Sequence, residues 1–321
     1  MKTCIFTEPL KEVTNRSKAI HALLNDRTKT ESDVVILVKK YFKESNVTIK
    51  DVHNHKHQKC DCSNFVQPVR TAPVTLPLKL ITIDIENSPN EGYYWDAKTE
   101  YLGEMFMTER SRVLCFAAKW YGEDKVMFYS EFHNGRQEML TALHRLLNEA
   151  DVINSYNGIR FDIPKINAEF LAEGLMPTSP YKHIDLLRVV KGNFKLPYNT
   201  LNYVAKFLGL GSKVAHQGFT LWTACLAGDK KAWDTMRKYN KGDVVLTEKV
   251  YDALRPWIKG HPHIGLWNNQ EHSCSNCGSI NIVNTGSYKA TTRSYVAYAC
   301  NDCGKQLRSN EVLGRVSIVA V

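Results

Sequence analysis

Residues 79–86 of the chain read KLITIDIE, with isoleucine at every second position from 81 to 85. This alternation predicts a strand, because successive side chains of a strand point to opposite faces. Ile83 and Ile85 are expected in the core, whereas Asp84 and Glu86 should share the other face. Carboxylates this close repel each other, and a divalent cation relieves that repulsion. On its own, the pattern would equally suit a solvated strand end.

The segments that follow predict an α/β domain. More strands are expected over Arg112–Trp120, Lys125–Tyr129, Val152–Tyr156 and His183–Asp185. Helices are expected over Gln137–Ala150, Ile163–Ala172, Leu186–Val190, Leu201–Leu208, Lys230–Tyr239 and Gly242–Leu254. Strands that come first and then alternate with helices indicate a mixed sheet covered by helices.

A second acidic position lies in residues 156–164, which read YNGIRFDIP. Asn157 falls in a turn after a predicted strand, and Asp162 falls at the start of a predicted helix. Asp162 could act there simply as an N-cap that accepts backbone hydrogen bonds. The amide of Asn157 and the ring of Phe161 would instead suit a nucleotide, through hydrogen bonding and base stacking.

A third acidic position is Asp243, four residues after Tyr239. Residues four apart lie on the same side of a helix, one turn from each other. The spacing therefore predicts that the hydroxyl of Tyr239 and the carboxylate of Asp243 are neighbours. An exposed aspartate beside a tyrosine packed on the sheet would fit the same pattern.

In this order, the acidic positions resemble the DEDD exonuclease superfamily of the ribonuclease H-like fold, in its tyrosine-containing (DEDDy) branch. The resemblance covers Leu76 to about Trp257, and within the branch it is closest to stand-alone phage and bacterial exonuclease-like proteins that end in a zinc ribbon. The positions that match the three motifs are Asp84 and Glu86, then Asn157, Phe161 and Asp162, then Tyr239 and Asp243. The resemblance implies a DnaQ-like mixed sheet flanked by helices over residues 76–260.

The resemblance also implies an activity, namely metal-dependent 3′–5′ exonuclease cleavage that releases nucleoside monophosphates. The substrate would be single-stranded nucleic acid with a free 3′ end, and DNA rather than RNA. Two Mg²⁺ or Mn²⁺ ions would be held by Asp84, Glu86, Asp162 and Asp243, since all their ligand atoms are oxygens. Tyr239 would orient the attacking water, and Asn157 and Phe161 would position the terminal nucleotide. A nucleic-acid-binding protein with an inactive centre, or an endonuclease on the same fold, are the alternatives.

Four cysteines form two Cys-x-x-Cys pairs with 22 residues between them, at Cys274, Cys277, Cys300 and Cys303. Four thiolates complete a tetrahedral Zn²⁺ site, so one structural zinc is expected in a zinc ribbon over residues 268–321. A strand over Thr291–Ala299 would carry Arg293, Tyr295 and Tyr298. These side chains, with Lys289, could contact nucleic acid, or the ribbon could only stabilise the end of the chain.

Positive charge is concentrated near the start of the chain. Residues 1–70 hold 13 Lys and Arg against 8 Asp and Glu, more than half of the net charge of +9. Residues 1–50 are expected to form a basic helical region with helices over Glu12–Leu24 and Ser32–Glu44. These could be a helix-turn-helix, a helical cap or a flexible arm. Residues 51–75 are expected to be a linker. It contains five possible zinc ligands that could equally lie in a solvated loop: His53, His55, His57, Cys60 and Cys62.

Composition excludes several classes of protein. No apolar run approaches the roughly 20 residues that a membrane span needs. Residues 1–10 lack the apolar segment of a secretory signal. An odd number of cysteines, nine, at low density argues against a disulfide scaffold. A cytoplasmic location, in a bacterial or phage-infected cell, is therefore expected, with no membrane partner.

Overall fold

The structure is a computed structural model of the chain, and it describes residues 30–41, 47–56, 78–95 and 103–319 together with Ile20 and Leu23. The chain forms two compact units, residues 1–72 and residues 73–321. None of the helices in the described parts of the chain is long and apolar enough to cross a membrane.

In the first unit, helix α1 covers Glu31–Tyr41 and helix α2 covers Ile49–Lys56. Residues 51–56 were expected to be part of a linker, and that expectation is wrong. The backbone N–H of Thr48 donates to Asp51 (2.8 Å), and the hydroxyl of Thr48 accepts from the N–H of Asp51 (3.3 Å), which caps the start of α2. Val52 is fully buried in a small apolar cluster with Val34 and Val38 of α1.

Ile20 and Leu23 are helical and belong to the same apolar cluster. The rest of the helix expected over Glu12–Leu24 lies outside the described residues, and so does the segment expected to join it to α1, apart from Thr30. The helix-turn-helix therefore stays a prediction.

The second unit contains a five-stranded sheet whose strand order is β5-β4-β1-β6-β7. Strand β4 pairs antiparallel with β1 and β5, and β6 pairs parallel with β1 and β7. The strands from β1 to β7, of which β2 and β3 form a separate small hairpin, are Leu80–Asn87, Glu91–Gly92, Met107–Glu109, Val113–Trp120, Val126–Ser130, Val152–Ser155 and Lys182–Asp185. The mixed α/β class expected from the sequence is confirmed.

Helices cover both faces of this sheet. From α3 to α10 they are Glu131–Asn134, Arg136–Glu149, Asp162–Ala172, Leu186–Asn193, Leu201–Phe207, Phe219–Leu226, Lys230–Leu254 and Gly265–Asn268. One core joins the isoleucines of β1 to α4 and α5. A second core joins Leu80, on the opposite face of β1, to α6, α7 and α9. Helix α8 and the β2–β3 hairpin were not expected from the sequence.

Helix α9 is continuous from Lys230 to Leu254, so the two helices expected here are one. The expected helices ended at Tyr239 and began again at Gly242, but Gly242 lies inside α9, where it permits a close approach. A β-carbon placed at Gly242 would lie 3.0 Å from a side-chain carbon of Val214, in the loop between α7 and α8. The glycine therefore lets this loop pack against the helix that carries Tyr239 and Asp243.

Residues beyond α10 form a three-stranded antiparallel sheet in the order β10-β9-β8. Its strands β8, β9 and β10 are Ile282–Lys289, Arg293–Cys300 and Gln306–Arg315. Only the central strand was expected from the sequence. Arg255, just after α9, donates to the backbone carbonyl of Asn276, and Lys305 donates to the carbonyls of Pro256 (2.9 Å) and Ile258 (2.7 Å). These bonds fasten the small sheet to the end of α9.

Candidate active site

Three carboxylates meet between β1 and α9. Asp84 and Glu86 lie on the face of β1 that is turned towards α9, as the two-residue strand period predicts. Asp243 lies on α9 and is almost fully buried. One carboxylate oxygen from each of the three residues lies within 4.8 Å of the others. This geometry brings together the first and third acidic positions of the sequence, although most of the α/β layer separates them along the chain.

Asn240 holds Asp84 in place. Its side chain is fully buried, and its Nδ2 donates to Oδ2 of Asp84 (2.7 Å) and to the backbone carbonyl of Asp84 (3.2 Å). A buried amide can do this only because α9 runs unbroken past position 240 and presents one face to β1. Sequence reasoning missed this residue, although it directly follows Tyr239.

Asp162 lies beside the three carboxylates but outside the group that lies within 4.8 Å. It is the first residue of α5, and its Oδ1 accepts from the backbone N–H of Ile85 (3.2 Å), between Asp84 and Glu86 on β1. After burial and the charge of Glu86, the charge of Asp162 is a further cause of the raised pKa of Asp84. Its carboxylate is thus tied to β1, so the proposed N-cap role does not describe its main contact.

Lys213 is the unexpected member of the site. Its Nζ donates to Oδ2 of Asp243 (2.6 Å) and to the hydroxyl of Tyr239 (3.2 Å). It comes from the loop that packs against Gly242. His216 of the same loop lies against the Tyr239 ring, with 4.5 Å between centroids. No spacing or periodicity in residues 209–218 singles out this lysine, so only the folded loop reveals it.

Asn157 and Phe161 lie in the turn between β6 and α5. Asn157 has a φ of 70°, a left-handed conformation that asparagine tolerates better than most residues. Asp185 holds the turn, since it accepts from the backbone N–H of Asn157 (2.9 Å) and of Ile159 (3.3 Å). Phe161 is 56% exposed, and the guanidinium of Arg160 lies 5.8 Å from the centroid of its ring. Sequence reasoning missed the anchoring role of Asp185.

The carboxyl groups of the site have raised pKa values, because they are buried and close to one another. Burial, followed by repulsion from Glu86, raises the pKa of Asp84 well above its usual value. Burial and repulsion from Asp243 raise the pKa of Glu86 to about 8. Burial raises the pKa of Asp162 to about 6, against the stabilising hydrogen bond from Ile85. The negative charges therefore destabilise one another unless cations join them.

Charge around α9 is compensated only in part. Burial raises the pKa of Asp243, although the Lys213 ammonium opposes that change. For Lys213, burial is outweighed by the attraction of Asp243, so its pKa rises. Burial and the negative charge of Asp243 raise the pKa of the Tyr239 hydroxyl, which therefore stays protonated at neutral pH.

These residues fit hard divalent cations. Carboxylate oxygens are the ligands that Mg²⁺ and Mn²⁺ prefer. Within the described part of the chain, the buried Oδ1 of Asp243 has no hydrogen-bond partner. A buried acceptor without a donor is costly, and a cation would satisfy it. Asp84, Glu86 and Asp243 could hold such an ion, with Asp162 at the edge of the group.

The second candidate metal centre is the cluster of Cys274, Cys277, Cys300 and Cys303. One sulfur from each lies within 4.8 Å of the others, and two pairs, 274 with 303 and 277 with 300, are 3.6 Å apart. This separation is too long for a disulfide and close to the roughly 3.8 Å between sulfurs around a tetrahedral zinc. The cluster is consistent with a zinc ribbon.

Of the third group of possible ligands, in residues 53–62, the structure describes only one side chain. His53 lies on α2, with its Nδ1 3.5 Å from a carboxylate oxygen of Glu31. The side chains of His55, His57, Cys60 and Cys62 lie outside the described residues.

The chain was compared with protein families, with curated proteins and with solved structures. Residues 104–255 match the family model of the RNase_H superfamily, a range that starts after Asp84 and Glu86. No curated protein matches the chain. Among solved structures, the chain is similar to the family B DNA polymerase from the hyperthermophilic archaeon Pyrobaculum calidifontis, with a TM-score of 0.46 and 17% identity over 69% of this chain. The matched region is 32% of the polymerase, so the chain spans about a third of its length.

Three observations agree about the architecture, namely the strand order, the helices on both faces of the sheet and the family match. The chain has an RNase H-like α/β fold, followed by a small sheet with a four-cysteine cluster.

Proposed function

We propose that this chain is a metal-dependent 3′–5′ exonuclease of the DEDDy type that degrades single-stranded nucleic acid, DNA in preference to RNA. The observation that carries the proposal is the group of Asp84, Glu86 and Asp243, whose oxygens converge within 4.8 Å on an RNase H-like sheet. The nuclease domain would cover residues 76–260 and the zinc ribbon residues 268–321. The resemblance to phage and bacterial stand-alone exonuclease-like proteins belongs to the same proposal.

Asp84, Glu86, Asp243 and Asp162 would hold two Mg²⁺ or Mn²⁺ ions. When bound, such a pair activates a water and stabilises the charge on the attacking and leaving oxygens of the phosphate. Asn240 keeps the carboxylate of Asp84 turned towards α9. This fixed orientation matters because metal ligands that must reorganise at each turnover stabilise the transition state less well.

Tyr239 would orient the attacking water. Its raised pKa argues against a role as a base, since the hydroxyl keeps its proton at neutral pH. Lys213 donates to the oxygen of this hydroxyl (3.2 Å), and a hydrogen bond from the hydroxyl to Asp243 opposes the rise that burial causes in the pKa of Asp243, so Tyr239 is held beside the carboxylates. Phe161 would stack on the terminal base, and Asn157 would hydrogen-bond to the terminal nucleotide.

A decisive experiment uses a single-stranded oligonucleotide labelled at its 5′ end, a matched RNA, and a circular single strand. With Mg²⁺, the wild-type chain should shorten the linear oligonucleotide progressively from its 3′ end. It should leave the circular single strand intact. Asp84→Asn should abolish shortening. Asp234→Asn is the control with the same chemical change, because Asp234 is an exposed aspartate on α9 that pairs with Arg237 on the surface.

Each outcome separates the candidates. Cleavage of the circle would indicate an endonuclease. If the Asp84→Asn variant still cleaves the oligonucleotide, then cleavage does not depend on this group of carboxylates. Nucleic-acid binding with no cleavage of any substrate would support the alternative of an inactive centre, which the Lys213–Asp243 ion pair favours because it already neutralises one carboxylate.

A further inference from the structure

One face of the C-terminal sheet carries tyrosines and arginines. Residues directly opposite each other on paired strands share a face, and the pairs Tyr288 with Tyr295 and Arg293 with Arg315 are of this kind. Arg308 joins them, since its guanidinium lies 4.0 Å from the centroid of the Tyr295 ring. We call these five residues the tyrosine–arginine face. The opposite face of the sheet carries Cys300 and packs around the cysteine cluster.

The tyrosines have different surroundings. Tyr295 is only 8% exposed, because Arg308 and Tyr288 cover its ring. Tyr288 is 50% exposed, with its ring roughly parallel to that of Tyr295 and 6.4 Å away. The face therefore presents the half-exposed ring of Tyr288 next to the ring of Tyr295, and the guanidinium of Arg308 lies over the Tyr295 ring. Such a surface suits planar, negatively charged ligands.

The arginines of this face have no acidic partner among the described residues. No carboxylate there lies within salt-bridge distance of Arg293, Arg308 or Arg315. In the α/β layer, by contrast, the arginines at positions 110, 112 and 136 all pair with glutamates. Arg308 also donates to the carbonyl of Ser309 (2.8 Å), which uses one of the five N–H donors of its guanidinium.

The cross-strand pair of Arg293 and Arg315 has a folding cost. Like charges directly opposite each other on a sheet destabilise it. Residues 281–319 contain two acids, Asp302 and Glu311, and Asp302 already accepts from Ser279 and Asn281. The repulsion thus has little to offset it within the sheet, whereas an external polyanion would relieve it.

We propose that the tyrosine–arginine face binds single-stranded nucleic acid, with a base stacked on Tyr288 and phosphates contacted by Arg293, Arg308 and Arg315. The inference rests on the proposed function and deepens it, since it assigns a second contact for the same substrate. Arg255 and Lys305 fasten the sheet to the end of α9. A strand bound on this face is therefore held by the same compact unit that contains the carboxylates.

The test measures oligonucleotide binding by fluorescence anisotropy in the full-length Asp84→Asn chain, in which the oligonucleotide is not degraded. The triple variant Arg293→Gln, Arg308→Gln, Arg315→Gln should bind at least tenfold more weakly. For a single strand, removing three phosphate contacts should also reduce the salt dependence of log K by about 2. Tyr288→Ala should weaken binding by about fivefold or more without changing the salt dependence, because stacking involves no counterion release.

The matched control is Lys125→Gln, Arg145→Gln, Lys191→Gln, which removes the same charge from exposed positions of the α/β layer. The zinc content of every variant should remain one per chain, which shows that the ribbon is folded. Equal affinity and equal salt dependence in the two triple variants would overturn the proposal. So would loss of self-association in sedimentation without loss of oligonucleotide binding, because the face would then bind a second copy.

The cleavage assay separates this inference from the proposed function. If the wild-type chain cleaves nothing but binds the oligonucleotide through these arginines, the inference stands and the exonuclease proposal fails. If cleavage occurs and the arginines do not affect binding, the exonuclease proposal stands and the inference fails.

Discussion

The two candidate metal centres of this protein are built in opposite ways. The cysteine cluster draws its ligands from two short Cys-x-x-Cys segments of the C-terminal region, and its four sulfurs are enough to complete a tetrahedral site. The carboxylate group draws its ligands from a strand and a helix at opposite ends of the α/β layer in sequence, and it has spare acceptors such as Oδ1 of Asp243. A closed set of four thiolates suits a structural ion, whereas an open set of oxygens suits catalysis.

The first prediction concerns the fourth carboxylate, which lies outside the closest group. Asp162→Asn should reduce cleavage by about a thousandfold, on the order of what the loss of a key electrostatic group costs. The asparagine oxygen can still accept from Ile85, so the midpoint of thermal unfolding should change little. Activity within a few-fold of wild type would show that Asp162 only braces β1.

The second prediction tests whether the cysteine centre is purely structural. Cys277→Ser should reduce zinc from one per chain to well below one and should increase hydrogen exchange across residues 274–315, since such sites contribute folding energy directly. The same method should find protection of β1 and α9 unchanged. If hydrogen exchange also increased in β1 and α9, the zinc ribbon would stabilise the α/β layer as well as itself. The buried Cys225→Ser, outside the cluster, is the control.

The third prediction concerns Asn240, a positioning residue behind Asp84. Asn240→Ala should raise the Mg²⁺ concentration for half-maximal activity by roughly 10- to 100-fold, because residues that orient metal ligands typically contribute that much. Calorimetric titration of Mg²⁺ should show the same loss of affinity without any substrate. A variant with normal Mg²⁺ affinity but low activity would contradict this role. Asn148→Ala, on α4, is a suitable control.

The fourth prediction concerns the hydroxyl of Tyr239. Tyr239→Phe should slow cleavage by about tenfold, a modest effect expected for orientation rather than proton transfer. Mg²⁺ affinity should remain that of the wild type, since the hydroxyl is not a ligand in this proposal. A pH–rate profile that loses a limb in the variant would instead assign Tyr239 an acid–base role.

The last prediction concerns stability rather than activity, namely its dependence on pH. The pKa of Glu86 is raised in the folded chain to about 8 from its usual value near 4.5, so the folded state holds a proton that the unfolded state releases. Without Mg²⁺, the stabilising contribution of neutral Glu86 should therefore be complete below about pH 4.5 and be lost as the pH rises through 8. Saturating Mg²⁺ should reverse this loss by joining the ionised carboxylates.

Comparison with Glu86→Gln in thermal unfolding across the pH range measures this effect together with the repulsion between Glu86 and Asp84. Burial lowers the pKa of His183 and His261 to about 4, which makes both histidines stabilise the folded state less in acid. That contribution is the same in wild type and variant, so it cancels in the difference. A difference that does not vary between pH 5 and 8 would contradict the raised pKa.

Much of the fold was predictable because its signals are local. The alternation in residues 79–86 located β1, and the inward leucines of residues 137–150 located α4. The gap expected between two helices at residues 240–241 was wrong, since α9 continues through it and past Gly242. A glycine can mark a turn or a close approach of backbone, and the sequence alone does not distinguish the two.

Sequence alone determined which chemical groups this protein can offer, namely two cysteine pairs at zinc-ribbon spacing and acidic residues at the ends of a strand and on a helix. Only the tertiary structure decided which of them meet. It brought Lys213 from a loop to Asp243, placed Asn240 behind Asp84, and set Arg293 opposite Arg315. The physical reason is that spacing records neighbours along one element, whereas contacts between elements depend on packing that no single segment encodes.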